Sequence, residues 1–267
     1  MNSSVRTIPF LKASACGNDF LLIDSAQAPP NIEDFTRRIC DRHQGVGADG
    51  VEWMSPHFSA DVEIRLINAD GSRAEISGNG TRCVAAYIAA TQSKERISIL
   101  TGAGVKICCL ISYHDSEYEF ETEMGKAEVE SEVVVNPGSG EVRGIPVSMG
   151  NPHYVIFVSQ FPEDWQALAL RIQRLSSHFP DGVNVEYVTA NGAHDICARF
   201  FERGAGETQS SGTGSCASAV AAMAAGRAES PVKVHAPGGT QIVRREGGNV
   251  FLRGPARLIC RGEFFLE

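Results

Sequence analysis

The chain predicts an α/β (α+β) fold made of two related domains. Three observations carry that prediction. Strand-like and helix-like segments alternate irregularly, and two Ala-rich apolar helices each follow a Gly-rich tetrapeptide. Those tetrapeptides, Ser77-Gly-Asn-Gly80 and Ser211-Gly-Thr-Gly214, stand 134 residues apart in a chain of 267. Two more pairs repeat at half the chain length and in the same order: Gly17-Asn18 with Gly150-Asn151, and His43 with His178, each shortly before a Gly-Val pair. A single match means little in a Gly-rich sequence, whereas three in order point to internal duplication. The expected arrangement is a pseudo-twofold pair, residues 1–125 and 126–255, with 256–267 returning to the first domain.

In the first half, Ile8 to Leu11 and Phe20 to Asp24 read as strands around a Gly-Asn-Asp turn. Asn31 to His43 reads as a helix: Asn31 is a candidate N-cap, and Ile32, Phe35 and Ile39 fall at helical spacing. Val62 to Asn68 alternates like a strand, Cys83 to Ala90 is an apolar helix, and 97–100, 105–111 and 118–123 read as strands. A domain boundary is expected just before the acidic, Gly- and Pro-containing residues 128–145. The second half repeats the plan, with strands at 154–158, 184–189 and 196–201 and helices at 163–176 and 215–225. Strands at 232–235, 241–244 and 250–253 complete it.

With 24 Lys+Arg against 32 Asp+Glu, the net charge is −8, and no basic cluster is present to bind phosphates, so nucleic acid is not an expected partner. No apolar run approaches the roughly 20 residues of a membrane span, and Met1 to Ala15 lacks the pattern of a signal peptide. A cytoplasmic protein is expected. The eight cysteines form no C-x-x-C pair, so neither a zinc site nor a disulfide is expected. Gly45-Val-Gly47-Ala-Asp-Gly50 matches a dinucleotide fingerprint by letter, but a helix precedes it and a strand-like run follows. The fingerprint needs the reverse order, so a plain turn is the reading.

The paired Gly turns differ from that case. Each leads into an apolar helix, whose N-terminus presents backbone N–H groups and about half a positive charge. That suits a bound carboxylate or a lowered thiol pKa. Glycines at 78, 80, 212 and 214 permit close backbone approach and positive φ. The plainer reading of either turn alone is a helix cap. Two related by duplication would face each other across an interdomain cleft, where ligands gather.

At this point the sequence resembles the diaminopimelate epimerases, cofactor-independent amino-acid racemases and epimerases. The resemblance spans essentially the whole chain, with motifs in family order. They are Cys16-Gly-Asn-Asp-Phe20, Asp41-Arg-His-Gln-Gly-Val-Gly-Ala-Asp-Gly50, Asn68-Ala-Asp-Gly-Ser72, Ser77-Gly-Asn-Gly-Thr-Arg-Cys83, Met149-Gly-Asn-Pro-His153, Val183-Asn-Val185, and Phe201-Glu-Arg-Gly-Ala-Gly-Glu-Thr208 with Ser211-Gly-Thr-Gly-Ser-Cys216. It implies that each half is a mostly antiparallel sheet or barrel wrapped around a central apolar helix. The implied activity interconverts LL- and meso-diaminopimelate in lysine biosynthesis by two-base proton transfer at the α-carbon. It needs no pyridoxal phosphate, other cofactor or metal. A homodimer is the expected assembly.

Carried over by motif, Gly78, Asn79, Gly212 and Thr213 would cradle the α-carboxylate through backbone N–H groups. Asn18, Asn68, Asn151, Asn184 and Arg203 would hold the substrate. Glu202 and His153 would sit near the bases, with Glu202 also at the substrate. The family's two catalytic cysteines correspond to Ser77 and Ser211, and both are serine here. A free thiol titrates near ~8.5 and falls further at a helix N-terminus, while a serine hydroxyl needs an adjacent general base. Impaired epimerisation is therefore expected.

Three readings of the serines stand side by side. They are a deliberate Cys-to-Ser replacement, a natural branch with slower or different chemistry, and a role for Cys16 as one base. Cys83 and Cys216, one turn into their helices, read as packing residues. The functional alternatives are a related racemase, epimerase or dehydratase acting on another amino acid, and a non-catalytic amino-acid-binding homologue. Arg203, Asn68 and Asn184 favour a substrate with a polar distal end, because an apolar one would leave them unpaired.

Overall fold

A computed structural model describes residues 6–138 and 140–266. The chain forms two compact units, one of Met1–Thr122 with Gly254–Glu267 and the other of Glu123–Arg253. In order, the first unit holds β1 (Thr7–Ala15), β2 (Asn18–Asp24), α1 (Ile32–Cys40), β3 (Gly50–Ser55), β4 (Val62–Asn68), β5 (Arg73–Ala74), α2 (Gly78–Gln92), β6 (Arg96–Thr101), β7 (Gly104–His114) and most of β8 (Glu117–Lys126). The second holds β9 (Glu128–Val129), β10 (Val133–Val135), β11 (Val142–Ser148), β12 (Pro152–Phe157), α3 (Trp165–Gln173), β13 (Asn184–Gly192), β14 (Asp195–Glu202), β15 (Gly206–Thr208), α4 (Gly212–Ala224), β16 (Val232–Ala236) and β17 (Gly239–Glu246). The final strand, β18 (Asn249–Phe265), pairs through Asn249–Arg253 with β17 and through its later residues with β1, so one strand serves both units.

The two halves repeat strand for strand. In the first, β1 lies antiparallel to β2 and β2 parallel to β3 across α1. Then β3 runs antiparallel to β4, β4 parallel to β6 across α2, and β6, β7 and β8 follow antiparallel. Pairing of β18 with β8 and β1 closes the ring. In the second, β11, β12, β13, β14, β16, β17 and β18 take the same sequence of antiparallel and parallel pairings. Each parallel pair needs a crossover helix, which explains why helices interrupt a mostly antiparallel sheet.

Helices α2 and α4 fill the centres of their units. From Asn79 to Ala86 every residue of α2 is buried, as is every residue of α4 from Gly214 to Ala222. A helix buried on all sides shows no amphipathic stripe, and its alanines let the surrounding strands approach closely. Val84 and Ile88 pack with Leu22, Leu66, Ile97 and Phe120, while Val220 packs with Val155, Phe200, Val234 and Leu252. Each such aliphatic side chain contributes roughly 1.5–3 kcal/mol on burial. By contrast α1 is amphipathic: Phe35 and Ile39 face the core, and the Asn31 side chain accepts from Asp34 N–H as the N-cap.

Four sequence expectations are corrected. Both central helices begin earlier than expected, at Gly78 and Gly212, because the serines before them are N-caps and the glycines form the first turn. Consequently none of Gly78, Gly80, Gly212 and Gly214 has positive φ. Helices α1 and α3 are shorter than expected, since Asp41 and Arg174 already cap them. Residues 128–145, read without strands, hold β9, β10 and the start of β11; β10 pairs with β11 at 142–144, and β9 pairs with its end, Val147 and Ser148.

Candidate active site

Each central helix carries a serine at its head. Ser77 Oγ accepts from Gly80 N–H at 3.1 Å, and Thr81 N–H makes the first helical bond, to Ser77 O at 2.8 Å. Ser211 Oγ accepts from Gly214 N–H at 3.1 Å, and Ser215 N–H bonds Ser211 O at 3.0 Å. The N–H groups of Gly78 and Asn79, and of Gly212 and Thr213, therefore precede the helical ladder at the positive end of each dipole. These are the four residues expected to cradle a carboxylate.

The glycines divide by role. A Cβ on Gly78 would meet nothing within 4 Å, so a side chain there would enter open space. A Cβ on Gly80 would lie 2.0 Å from Glu52 Oε1, and one on Gly214 would lie 2.9 Å from Phe200 Cδ1. Close approach, not unusual dihedrals, requires glycine at 80 and 214.

Within the first unit, Asn79 Nδ2 donates to Asn18 Oδ1 at 3.1 Å, and Asn18 Nδ2 donates to Asp49 Oδ2 at 2.6 Å. Buried Arg82 donates to Asn79 Oδ1, to Pro255 O and to Cys16 Sγ. Asn68, at the end of β4, donates to Ser72 Oγ. The structure thus joins Asn18 and Asn79 directly and holds Asn68 in a separate turn. Cys16 is buried at positive φ, and burial pushes its thiol up despite the Arg82 guanidinium. Cys16 thus lies buried against Arg82, away from the helix N-termini where a thiol would be lowered.

Within the second unit, Ser211 Oγ donates to Glu202 Oε1 at 2.6 Å. His153 Nδ1 lies 2.7 Å from Glu186 Oε1, and His153 Nε2 lies 3.0 Å from Asn151 Oδ1, with histidine and glutamate both buried. Asn151 Nδ2 in turn reaches Thr213 Oγ1 at 3.4 Å. Asn184 donates to Pro152 O and accepts from Arg203 N–H, and the exposed Arg203 guanidinium bonds Asp181 O. Glu202 therefore contacts the serine directly, while both ring nitrogens of His153 are engaged elsewhere.

Motif reading missed two carboxyls, Glu52 on β3 and Glu186 on β13. Neither belongs to a recognisable pattern, but the half-length spacing relates them, 52 to 186. Burial pushes the Glu52 carboxyl up to about 8. Burial raises Glu186 as well, against the attraction of His153.

Known proteins resemble this chain over nearly its whole length. The family model for diaminopimelate epimerase matches residues 10–130 and 145–259. The chain belongs to the diaminopimelate epimerase family. A diaminopimelate epimerase from Pelotomaculum thermopropionicum is 38% identical over 96% of this chain and 98% of its own length. One from Desulfitobacterium hafniense is 35% identical over 94% and 96%. Among solved structures, a probable proline racemase from Agrobacterium radiobacter superposes with a TM-score of 0.72 at 16% identity, covering 97% of this chain and 93% of that one. A Bacillus anthracis protein of the PhzF family gives 0.70 at 15%, covering 98% and 100%. These two share the fold of this diaminopimelate epimerase family member, whose family is one of isomerases. Among the described residues, no helix is long and apolar enough to cross a membrane.

Proposed function

We propose that the protein epimerises a diaminopimelate-type amino acid at its α-carbon, with Ser77 and Ser211 standing where thiols serve the family. The observation that carries this reading is the 2.6 Å bond from Ser211 Oγ to Glu202 Oε1 at the head of α4. A serine hydroxyl is too weak an acid to serve as a base unaided, and an adjacent carboxylate supplies what it lacks. As Ser211 Oγ takes the substrate's α-proton, its own hydroxyl proton passes to Glu202. The N–H groups of Gly78, Asn79, Gly212 and Thr213 bind the α-carboxylate and stabilise charge developing on it, an oxyanion-hole role. Asn18, Asn68, Asn151, Asn184 and Arg203 hold the rest of the substrate, and His153 fixes Asn151. The acceptor, the donor and the anion-binding groups are all the chain's own.

Two-base epimerisation takes one proton-transferring group for each face of the α-carbon, and each unit supplies one serine-headed helix. Hydroxyls make this slower than thiols would. The test is α-deuterium incorporation into LL-diaminopimelate in heavy water. Slow exchange is expected from the protein as it stands, with a gain of at least about 100-fold for Ser77→Cys combined with Ser211→Cys. Fast exchange by the unaltered chain overturns the impairment, and no gain in the double variant overturns the assignment of these positions.

A further inference from the structure

Glu52 lies in the centre of the first unit, fully buried, and neither carboxyl oxygen has a hydrogen-bond partner. An unpaired buried carboxyl is costly and rare. The duplication shows how it arises. Across β2 and β3, Phe20 stands opposite Gly50 and Glu52 opposite Leu22; across β12 and β13, His153 stands opposite Asn184 and Glu186 opposite Val155. On the other side Glu52 faces Leu66 and Glu186 faces Phe200. The two glutamates therefore hold the same register position. Glu186 is bound by His153, whereas Phe20 leaves Glu52 without that partner.

The Glu52 carboxyl lies beside the turn that Ser77 caps. A point where Gly80 would carry a Cβ lies 2.0 Å from Glu52 Oε1 and 3.3 Å from Ser77 Cβ, so carboxyl and serine flank one small space under the first turn of α2. The Ser77 cap uses the Oγ lone pair, which leaves the hydroxyl proton out of the cap. The cross-strand neighbours Leu22 and Leu66 carry no charge. On α2, the Cys83 thiol is pushed up by burial and by Glu52, and Arg82 is turned to Asn79, Cys16 and Pro255 O. Asp19, which also acts on Cys83, is bound by Lys12 and Arg42.

We infer that Glu52 is the proton-loaded partner of Ser77, as Glu202 is the proton-accepting partner of Ser211. This rests on the epimerase reading above. In one direction the α-proton passes to Ser211 Oγ while the Ser211 hydroxyl proton passes to Glu202 carboxylate. At the opposite face the Ser77 hydroxyl proton passes to the carbanion, and the Glu52 carboxyl proton replaces it on Ser77 Oγ. Both serines end as hydroxyls, and one proton has left Glu52 and one has reached Glu202; the reverse reaction restores both. The raised Glu52 carboxyl holds its proton at neutral pH, as a donor requires. Contacts that are long in an unliganded site shorten when substrate is bound. Glu52 acts through Ser77 and is a positioning residue for the proton.

Two measurements test it. In protein labelled with carboxyl-13C glutamate, the Glu52 signal, assigned by its loss in Glu52→Gln, is expected to titrate above the usual carboxylate range. Its midpoint should move in Ser77→Ala and stay in Ser211→Ala. A midpoint unmoved by Ser77→Ala overturns the coupling, without recourse to activity. In heavy water, Glu52→Gln is expected to slow epimerisation of LL- and meso-diaminopimelate at least tenfold while one stereoisomer still exchanges its α-proton without inversion. Glu202→Gln should leave that exchange to the other stereoisomer. Loss in both isomers, or the same isomer spared by both variants, overturns the relay. If the unaltered protein exchanges neither isomer, the epimerase reading fails and the relay's part in turnover with it, while the titration still reads whether Glu52 and Ser77 are coupled.

Discussion

Glu186 Oε1 lies 2.7 Å from His153 Nδ1, both side chains buried, while Glu52 at the same register of the other unit has Phe20 where that histidine would be. One unit thus gives its central carboxyl a partner on one oxygen, and the other gives its carboxyl none.

The unsatisfied carboxyl makes stability depend on pH. The Glu52 carboxyl is raised from about 4.5 to about 8 on folding. A raised acid contributes stability that is full below its unfolded value and lost as pH rises through its folded value. Glu52→Gln, neutral throughout, is expected to match the parent near pH 4, gain between pH 5 and 8, and level off above. At ~1.4 kcal/mol per unit the ceiling is roughly 5 kcal/mol. Denaturant unfolding at pH 4, 6 and 9 measures it, and a gain equal at all three rejects the titration as its source.

Replacing the partnered copy by the unpartnered one should do the reverse. His153→Phe leaves Glu186 buried without its partner, and a loss of about 3 kcal/mol is expected at neutral pH. The loss should shrink towards pH 4, where the unpaired carboxyl is protonated. Unfolding free energies of the variant and of His153→Phe combined with Glu186→Gln read this, because the second change should recover part of the loss.

The head of α2 separates folding from binding. Gly80→Ala drives a methyl group to 2.0 Å from Glu52 Oε1, and a loss of about 2 kcal/mol is expected from overpacking. Gly78→Ala meets open space at an ordinary φ, so stability should hold. Its methyl group would intrude where the α-carboxylate is proposed to bind, raising KM at least tenfold. Thermal unfolding and initial rates on the two variants distinguish these effects; a normal KM for Gly78→Ala argues against the carboxylate cradle.

Cysteine reactivity offers a direct check on the thiols. Cys16, Cys40, Cys83, Cys108 and Cys216 are buried, and Cys260 is exposed. Burial raises Cys16, Cys40, Cys83 and Cys108, so iodoacetamide at pH 7.5 should label Cys260 before any of these four. Cys16→Ala should leave α-proton exchange within about twofold of the parent. Peptide mass spectrometry and the heavy-water assay report the two outcomes, and rapid labelling of Cys16 contradicts its burial.

Local chemistry carried much of this protein in its sequence. Serine before a Gly-rich turn and an apolar run marks a helix N-terminus, so the heads of α2 and α4 and the N–H groups that precede their helical ladders were legible at Ser77–Asn79 and Ser211–Thr213. The half-length spacing exposed the duplication, and serine at both helix heads signalled a need for neighbouring bases. The glycines were legible as special, though not for the right reason: φ is ordinary at all four, and only packing against Glu52 and Phe200 shows why 80 and 214 carry no side chain. Side-chain contacts between residues distant in sequence lay beyond the pattern. Only the folded chain puts Glu202 Oε1 against Ser211 Oγ, engages His153 with Glu186, buries Cys16 under Arg82, and shuts Glu52 beneath Gly80 with no partner. The reason is physical: backbone propensity and capping act over a turn or two, whereas burial and charge pairing depend on which strands close around each central helix.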